Sequence, residues 1–463
     1  MSTDSVINRV VTAAGDRFAA GHVGELTRIV PFEMVDAALA ETGTTQRRVR
    51  ALPSRVVVYL LLAAALFADL GYPQVWTHMI AGLDLDPGDA GAGRVRVPSA
   101  SALCQARRRI GAAPLRALFD LLRGPAGGPR TRGLWWRGLL ICAIDGTQMC
   151  VPDSPANLAV YRRGGGHHGG TGYPMLRLVA LVCCGTRTVI EAAFGSDRRS
   201  ETAMTTGPSG LTAAMRPGMI VLADRHYGYA PTITALAATG ADLLIRVRNN
   251  HRYRVEQYLP DGSFLSQIGS LPVRVVRVNV TIRTTAGRRC ETYQLVTTVR
   301  DPSCSVLELA RLYHQRWEIE TSYFELKSTI LRGRVLRART PQGIDQEVYA
   351  LLVTYQALRI AIADALAERP DLDPDRASFT IALTTARAQL TAAAGVLANP
   401  VDLIGVIGRR VLDALLPARR ARTSPRVVKR AISNYTVKTS QNRVRGPSRT
   451  YTVEINTLAA DDA

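Results

Sequence analysis

The segment that decides the fold is Leu307–Leu331, LELARLYHQRWEIETSYFELKSTIL. Its spacing of apolar residues predicts one helix of about six or seven turns. At about 100° per residue, one polar stripe spans an arc of roughly 60° and holds Tyr313, Arg316, Glu320 and Lys327. The neighbouring stripe is predicted to be buried and comprises Leu312, Ile319, Tyr323, Leu326 and Ile330. The far side suits solvent, with Arg311, Gln315, Glu318, Ser322 and Glu325.

The helix alone leaves two interpretations of the polar stripe open. Charged faces are common on solvated helices, and the alternative is a set of side chains that projects into a cleft. The use of lysine favours the cleft, because only three of the 58 basic residues are lysines: Lys327, Lys429 and Lys438. An ammonium is a compact point charge, whereas a guanidinium is a flat fork. Position 327 is therefore predicted to require the ammonium.

Composition indicates a basic globular protein. A chain of 463 residues suggests roughly three domains, and the net charge of +20 points to nucleic acid as the partner. The longest apolar run, Val56–Phe67, falls short of the about 20 residues that a membrane span needs. No signal-peptide pattern opens the chain, so we expect a cytoplasmic protein without a membrane partner.

Cysteine and histidine give little support for a metal site with nitrogen or sulfur ligands. The seven cysteines form no CxxC pair, which argues against zinc and a disulfide framework. His167 and His168 stand in a glycine-rich loop. They are either metal ligands or exposed loop residues, and the loop interpretation is favoured.

Residues 1–133 are predicted to be a helical N-terminal DNA-binding domain. Helices are expected at Pro31–Thr42, Arg55–Leu70 and Ser101–Ile110, the last capped by Ser99 or Ser101, with the next opening at Ala113-Pro114. The last two helices, with Arg107, Arg108 and Arg109 on the first, suggest a helix-turn-helix-like reader of DNA. A plain helical bundle is the alternative.

Residues 134–365 are predicted to form an α/β catalytic domain. Buried strands are expected at Leu139–Ile144, which ends or is interrupted at Asp145, at Met219–Ala223, which ends at Asp224, and at Leu243–Val247. Leu176–Cys183 and Thr188–Ala193 form a predicted hairpin. From 248 to 301 the period changes to two, which predicts an inserted antiparallel β module whose arginine-bearing face suits a DNA backbone.

Residues 366–463 are predicted to be a helical C-terminal region with a basic tail. The tail holds ten basic and no acidic residues between Ala414 and Val453. A nucleic-acid arm is favoured over a solvated segment.

Three acids are candidates for one site: Asp145 and Asp224 at strand ends and Glu320 on the central helix. Strand ends at the carboxyl edge of a sheet are where α/β sites form. An oxygen-only ligand set selects Mg²⁺, with Mn²⁺ as a substitute, and two such ions can hold the attacking and leaving oxygens of a phosphodiester. Tyr313, Arg316 and Lys327 would contact phosphates. The alternative is that each aspartate simply ends a strand.

The chain resembles the insertion sequence 4 family of DDE transposases. The family's spacing of Tyr, Arg, Glu and Lys stands here intact as Y-HQ-R-WEI-E-TSYFEL-K. Further similar stretches are IDGTQMCVPD, GYPMLRLVALVCCGTR, VLADRHYGY and residues 29–122. The resemblance implies an RNase H-like (retroviral integrase-like) core with Asp145, Asp224 and Glu320 as catalytic metal ligands. It also implies Mg²⁺-dependent cut-and-paste transposition at terminal inverted repeats, usually through hairpin ends, in a dimeric synaptic complex.

One departure concerns the hairpin step. A relative places a tryptophan in the insertion to stack a flipped base, whereas the tryptophans here are Trp76, Trp135, Trp136 and Trp317. Either an aromatic of the insertion substitutes (Tyr253, Tyr258, Phe264 or Tyr293) or the step differs. Two rival functions stay open: an RNase H-like nuclease or resolvase, and a DNA-binding protein that has lost catalysis.

Overall fold

The computed structural model of the chain describes residues 23–48, 50–80, 97–163, 172–284, 287–392, 404–417, 422–423 and 449–457. The His167-His168 pair and most of the basic tail lie outside these residues, so the interpretations of both stay predictions.

The helices of the described chain include those predicted in the N-terminal region, and Tyr72–Ile80 is a further one there. They are α1 (Phe32–Glu41), α2 (Ser54–Leu66), α3 (Tyr72–Ile80), α4 (Ala100–Ile110), α5 (Ala113–Leu122), α6 (Pro155–Val160), α7 (Glu201–Thr206), α8 (Ala230–Ala237), α9 (Val306–His314), α10 (Trp317–Phe324), α11 (Pro341–Ala367), α12 (Phe379–Thr391) and α13 (Gly405–Asp413). Ser99 caps α4, because its hydroxyl accepts from the Ala102 N–H.

The strands are β1 (Trp135–Trp136), β2 (Leu139–Cys150), β3 (Arg162–Arg163), β4 (Pro174–Cys183), β5 (Val189–Ser196), β6 (Met219–Ala223), β7 (Asp242–Val247), β8 (Gln257–Tyr258), β9 (Phe264–Ile268), β10 (Leu271–Thr284), β11 (Gly287–Thr297), β12 (Arg422–Thr423) and β13 (Arg449–Thr457). The predicted β4–β5 hairpin and the predicted strand at Met219–Ala223 are confirmed.

These strands form a mixed sheet in the order β12-β13-β10-β11-β7-β6-β2-β4-β3, with β1 on β2, β5 on β4 and β8–β9 beside β10. The pairs β2–β6 and β6–β7 are parallel. The insertion adds antiparallel strands, since β10 pairs with β11 and β11 with β7. The chain is thus a mixed α/β protein, as expected.

The chain forms two compact units that are not consecutive segments. The first comprises residues 1–132, 149–160 and 322–417, and the second comprises 133–148, 161–321 and 418–463. Helices from both ends of the sequence pack together in the first unit, which a sequential division at 133 and 365 does not capture. Hydrophobic periodicity reflects contacts between residues that are near in sequence, whereas a compact unit is defined by contacts between distant segments.

The first unit is a helical bundle around two apolar helices. Every residue of α2 except Arg55 is buried, and α11 is long and apolar enough to cross a membrane by length and composition alone. Because 83% of its most apolar window is buried inside the protein, α11 has the character of a core helix.

Two of the three arginines expected to read DNA bind their own unit. The Arg107 guanidinium lies 3.7 Å from the centroid of the Tyr72 ring, and Arg109 donates to the Leu52 carbonyl at 2.6 Å. Arg108 is exposed. The packing therefore favours a plain bundle over a dedicated recognition helix at this place, and DNA binding by this region stays a prediction.

The central helix predicted from Leu307 to Leu331 is not continuous. It begins at the Ser305 cap, breaks between α9 and α10, and continues as a π-helical turn at Glu325–Ile330. At the break the N–H groups of Gln315 and Arg316 donate to carbonyls three residues back, so the turn is tighter than an α-helix. The apolar spacing persists through such a turn, which is why periodicity does not detect it.

Burial along this segment matches one predicted face and contradicts the other. The five residues of the predicted apolar stripe are all buried. On the face expected to be solvated, Ser322 is 1% and Glu325 6% exposed. Glu325 is an ion-pair partner of Arg359, and the Tyr355 hydroxyl donates to it at 3.2 Å. A buried charge that finds partners on distant helices is invisible to a periodicity argument.

The C-terminal region was predicted to be helical, but part of it forms a strand. Arg449–Thr457 forms β13, an edge extension of the insertion that pairs antiparallel with β10 from Val278↔Thr457 to Thr284↔Tyr451. Arg283 of the insertion donates to Glu454 at 3.0 Å. Alternating residues such as Tyr451, Val453 and Ile455 suit a strand, but their basic flanks obscured that pattern.

Candidate active site

The site is built on two parallel strands of the second unit. β2 and β6 pair in register up to Ile144↔Ala223, and the next residue on each is an acid, Asp145 and Asp224. The expectation that Asp145 ends its strand is wrong, because β2 runs on to Cys150. What ends there is the pairing with β6, so the two carboxylates stand side by side at the carboxyl edge of the parallel pair.

Burial and neighbouring charge act on Asp145. Burial raises its pKa to about 7, Asp224 and Glu201 add to that effect, and the Gly146 N–H and Arg316 oppose it. The Gly146 N–H donates to Asp145 Oδ1 at 2.8 Å. Ionisation of Asp145 is thus disfavoured mainly by burial, and the two nearby carboxylates contribute less.

Asp224 is held by the turn that follows its strand. Its Oδ1 accepts from the His226 N–H at 2.8 Å, and its Oδ2 lies 3.1 Å from His226 Nδ1. The next residue, Tyr227, is fully buried, and burial raises the pKa of its hydroxyl. The turn thus fixes the direction of the Asp224 carboxylate.

Arg316 connects the strand acids to the helix. Its Nη1 lies 3.7 Å from Asp145 Oδ2, and its Nη2 donates to Glu320 Oε1 at 3.0 Å. The side chain is 9% exposed, and its Nε is buried without a hydrogen-bond partner. Arg316 therefore supplies the positive charge between two of the three acids.

Tyr313 lies on the buried side of this cluster. It is 5% exposed, and its ring meets Tyr293 edge to face with centroids 6.2 Å apart. Burial raises the pKa of its hydroxyl, so the hydroxyl keeps its proton and can donate a hydrogen bond. A phosphate would therefore contact Tyr313 only through its hydroxyl.

Lys327 belongs to the first unit, in the π-helical turn at Glu325–Ile330. Its carbonyl accepts from the Gly333 N–H at 2.7 Å, and its side chain is partly exposed. Its role as a phosphate contact stays a prediction.

The chemistry of the three acids fits a divalent cation. All their donors are oxygens, as Mg²⁺ and Mn²⁺ prefer. Within the described ranges, no three His, Cys, Asp or Glu side chains converge closely enough to share an ion. Arg316 holds Glu320 instead, so metal coordination by all three requires the Arg316–Glu320 pair to open.

Sequence reasoning missed two features of the site. Glu201, the first residue of α7, lies against Gly146. Arg187, in the β4–β5 turn, pairs with Glu318 through an Nε–Oε2 contact of 2.5 Å, which ties the hairpin to the helix that carries Glu320. Both contacts join residues far apart in sequence, and no motif spacing indicates them.

Two family models match the chain. Residues 20–120 match the model described as insertion element 4 transposase N-terminal, and residues 136–356 match the model described as transposase DDE domain.

Two proteins of Escherichia coli (strain K12) are similar along the chain. Transposase InsG for insertion sequence element IS4 is 27% identical over 420 residues, which cover 86% of this chain and 90% of that protein. Putative transposase InsZ is 29% identical over 207 residues, which cover 43% and 62%. Among solved structures, a cryo-EM structure of the piggyBac transposase synaptic complex with hairpin DNA matches with a TM-score of 0.41 and 11% identity, over 85% of this chain and 84% of that one.

Proposed function

The chain belongs to the insertion sequence 4 family of DDE transposases, and we propose that it cuts phosphodiester bonds at the terminal inverted repeats of its element and joins the 3′ ends to target DNA. The observation that carries this proposal is the side-by-side position of Asp145 and Asp224 after the register Ile144↔Ala223, with Arg316 linking Asp145 to Glu320. An RNase H-like core is the fold that we assign to β2, β6, β7 and their helices.

The three acids are the proposed catalytic residues and metal ligands. Divalent cations, Mg²⁺ or in its place Mn²⁺, would activate the attacking oxygen and stabilise the leaving one when bound. Asp145 and Asp224 present carboxylates from a rigid parallel pair, which fixes their geometry before DNA arrives. Glu320 comes from the helix and completes the set once it leaves Arg316.

Arg316, Tyr313 and Lys327 are the proposed phosphate contacts. When Glu320 is released, the Arg316 fork gains free donors beside the site, including its unpartnered Nε, and a guanidinium fork matches phosphate oxygens. The Tyr313 hydroxyl adds one donor. Lys327 would add a point charge, and its support is the family motif in the sequence, Y-HQ-R-WEI-E-TSYFEL-K.

The proposed partners are element ends and target DNA, bound by a homodimer in a synaptic complex in the bacterial cytoplasm, at the nucleoid. The proposed route is cut-and-paste through hairpin ends. Of the four aromatics considered for stacking a flipped base, Tyr258 is 54% exposed, whereas Phe264 is buried. Tyr293 lies under the Arg246 guanidinium, 3.8 Å from its ring centroid. Tyr258 therefore offers the most accessible ring for a base.

The test is an assay with labelled element ends, a target plasmid and Mg²⁺. The wild-type protein should cut the ends and join them to the plasmid, and Glu320→Gln should bind the ends without cutting. Cutting without joining would favour the nuclease or resolvase, and binding without cutting by the wild-type protein would favour the catalytically silent protein. Normal cutting by Glu320→Gln would refute the assignment of the glutamate.

A further inference from the structure

Glu201 brings a fourth carboxylate to the edge where Asp145 and Asp224 stand. It is the first residue of α7, and the hydroxyl of Ser200 caps that helix by accepting from the Ala203 N–H at 3.1 Å. A Cβ atom placed on Gly146 would lie 2.4 Å from Cδ and 2.6 Å from Oε1 of Glu201. The Glu201 carboxylate therefore packs directly on the backbone next to Asp145, in the space that a side chain at 146 would fill.

Contacts behind Glu201 hold the backbone of the helical turn that carries it. Thr205 Oγ1 lies 2.9 Å from the Glu201 carbonyl oxygen and 3.5 Å from the hydroxyl of buried Tyr227. Burial raises the pKa of the Tyr227 hydroxyl, and the charges of Glu201, Asp145 and Asp224 raise it further. The helix start, the tyrosine and the two strand ends thus form one packed group.

The charge of Glu201 is not balanced by an ion pair. Within the part of the chain that is described, no lysine, arginine or histidine nitrogen lies within 4.0 Å of its carboxylate, whereas Asp145 and Glu320 share Arg316. The Glu201 carboxylate packs on the backbone of Gly146, so its charge lies next to Asp145. Unbalanced negative charge beside oxygen ligands increases their affinity for a divalent cation.

We propose that Glu201 is a positioning residue of the active site, which holds the Asp145–Gly146 backbone and strengthens the binding of the divalent cation through its negative charge. Glu201 acts through Asp145 and does not itself contact DNA. This inference rests on the proposed function, because it assumes that Asp145 is a metal ligand. Gly146 leaves the space that the Glu201 carboxylate occupies, since any larger side chain there would displace it.

The test measures Mn²⁺ binding to the full-length protein by electron paramagnetic resonance of free Mn²⁺, in the absence of DNA. Glu201→Gln keeps the shape and removes the charge, and Glu256→Gln is the matched control because Glu256 is exposed. We expect the dissociation constant for Mn²⁺ to rise about tenfold in E201Q, as the loss of one nearby charge implies, and to stay unchanged in E256Q. A purely structural role would leave E201Q like the control, and that result would overturn the inference.

A second pair of variants tests the contact between Glu201 and Gly146. Gly146→Ala should push the Glu201 carboxylate away and weaken Mn²⁺ binding, and adding Glu201→Ala to it should cause no further loss. Additive losses in the double variant would contradict the contact. If the wild-type protein does not bind Mn²⁺, or Asp145→Asn binds it equally well, the metal centre of the proposed function fails and this inference with it. An unchanged E201Q beside a defective D145N overturns this inference alone.

Discussion

The Nη1 atom of Arg316 lies 3.7 Å from Oδ2 of Asp145, which joins the turn between α9 and α10 to a strand residue 171 positions earlier. The same guanidinium holds Glu320. In the absence of a cation, its positive charge offsets the repulsion between the Asp145 and Glu320 carboxylates, which would otherwise destabilise the folded site. Arg316 thus has two proposed tasks: it is the counter-charge of the resting site and a phosphate donor in the working one.

Replacing Arg316 should separate these two tasks. In Arg316→Met the competing positive charge is gone, so we expect Mn²⁺ to bind several-fold more tightly, while cleavage of element ends falls because a phosphate donor is lost. Mn²⁺ titration and an end-cleavage assay measure the two effects, with circular dichroism to verify folding. Weaker Mn²⁺ binding in this variant would contradict the role of Arg316 as a competing counter-charge.

The raised pKa of Asp145 predicts a pH-dependent stability of the metal-free protein. The folded-state pKa of about 7 lies above the ordinary value of 3.8, so the folded state binds the extra proton and is destabilised as pH rises from about 4 to 7. Asp145→Asn should therefore be more stable than wild type above pH 7, by on the order of 2–4 kcal/mol, and the difference should shrink towards pH 4. Urea unfolding in EDTA measures this, and E256Q should track the wild-type curve.

Lys327 is predicted to bind one phosphate of the element end. Lys327→Ala should weaken end binding and reduce the slope of log K against log salt by about one. Lys327→Arg keeps the charge and should keep the slope, but should lower cleavage, since the fork does not reproduce a compact ammonium. Filter binding over a salt series and a cleavage assay measure the two effects. An alanine variant with the wild-type slope would show that the ammonium contacts no phosphate.

The fully buried Arg274 is predicted to stabilise the insertion. It pairs with Asp261 at 2.5 Å and donates to the carbonyls of Asp301 and Cys304 at 2.9 and 2.8 Å, which joins β10 to the segment that leads into α9. Arg274→Met leaves these acceptors unsatisfied and should cost roughly 3–5 kcal/mol of unfolding free energy. Chemical denaturation is the measurement.

Arg277 is the matched control for Arg274. It is on the same strand, partly exposed, and donates to Gln294 at 3.0 Å. Because Arg277→Met removes one hydrogen bond to a neutral amide, that of Gln294 (2% exposed), and no ion pair, it should cost less than Arg274→Met, about 1–3 kcal/mol. Equal losses in the two variants would mean that burial of Arg274 does not decide its contribution.

Much of the architecture could be predicted because it depends on local patterns. Apolar runs such as Met219–Ala223 are long enough to define a strand, and an acid that follows such a run marks its end. The family motif from Tyr313 to Lys327 could be recognised because its residue spacing is a property of the sequence alone. The bounds of α9 and α10 could not, because a tight turn between them preserves the apolar spacing.

What the sequence determined by itself is therefore many of the helices and strands, the family, and the two acids that follow the apolar runs of β2 and β6. The tertiary structure alone decided which distant groups meet: Glu201 on Gly146, Arg187 on Glu318, Arg316 between Asp145 and Glu320, and β13 on β10. Periodicity reflects the interaction of a residue with its neighbours over a few positions. The charge balance of a site depends on side chains that folding brings together from distant positions, 55 apart for Gly146 and Glu201 and 171 apart for Asp145 and Arg316, and those contacts exist only in the folded chain.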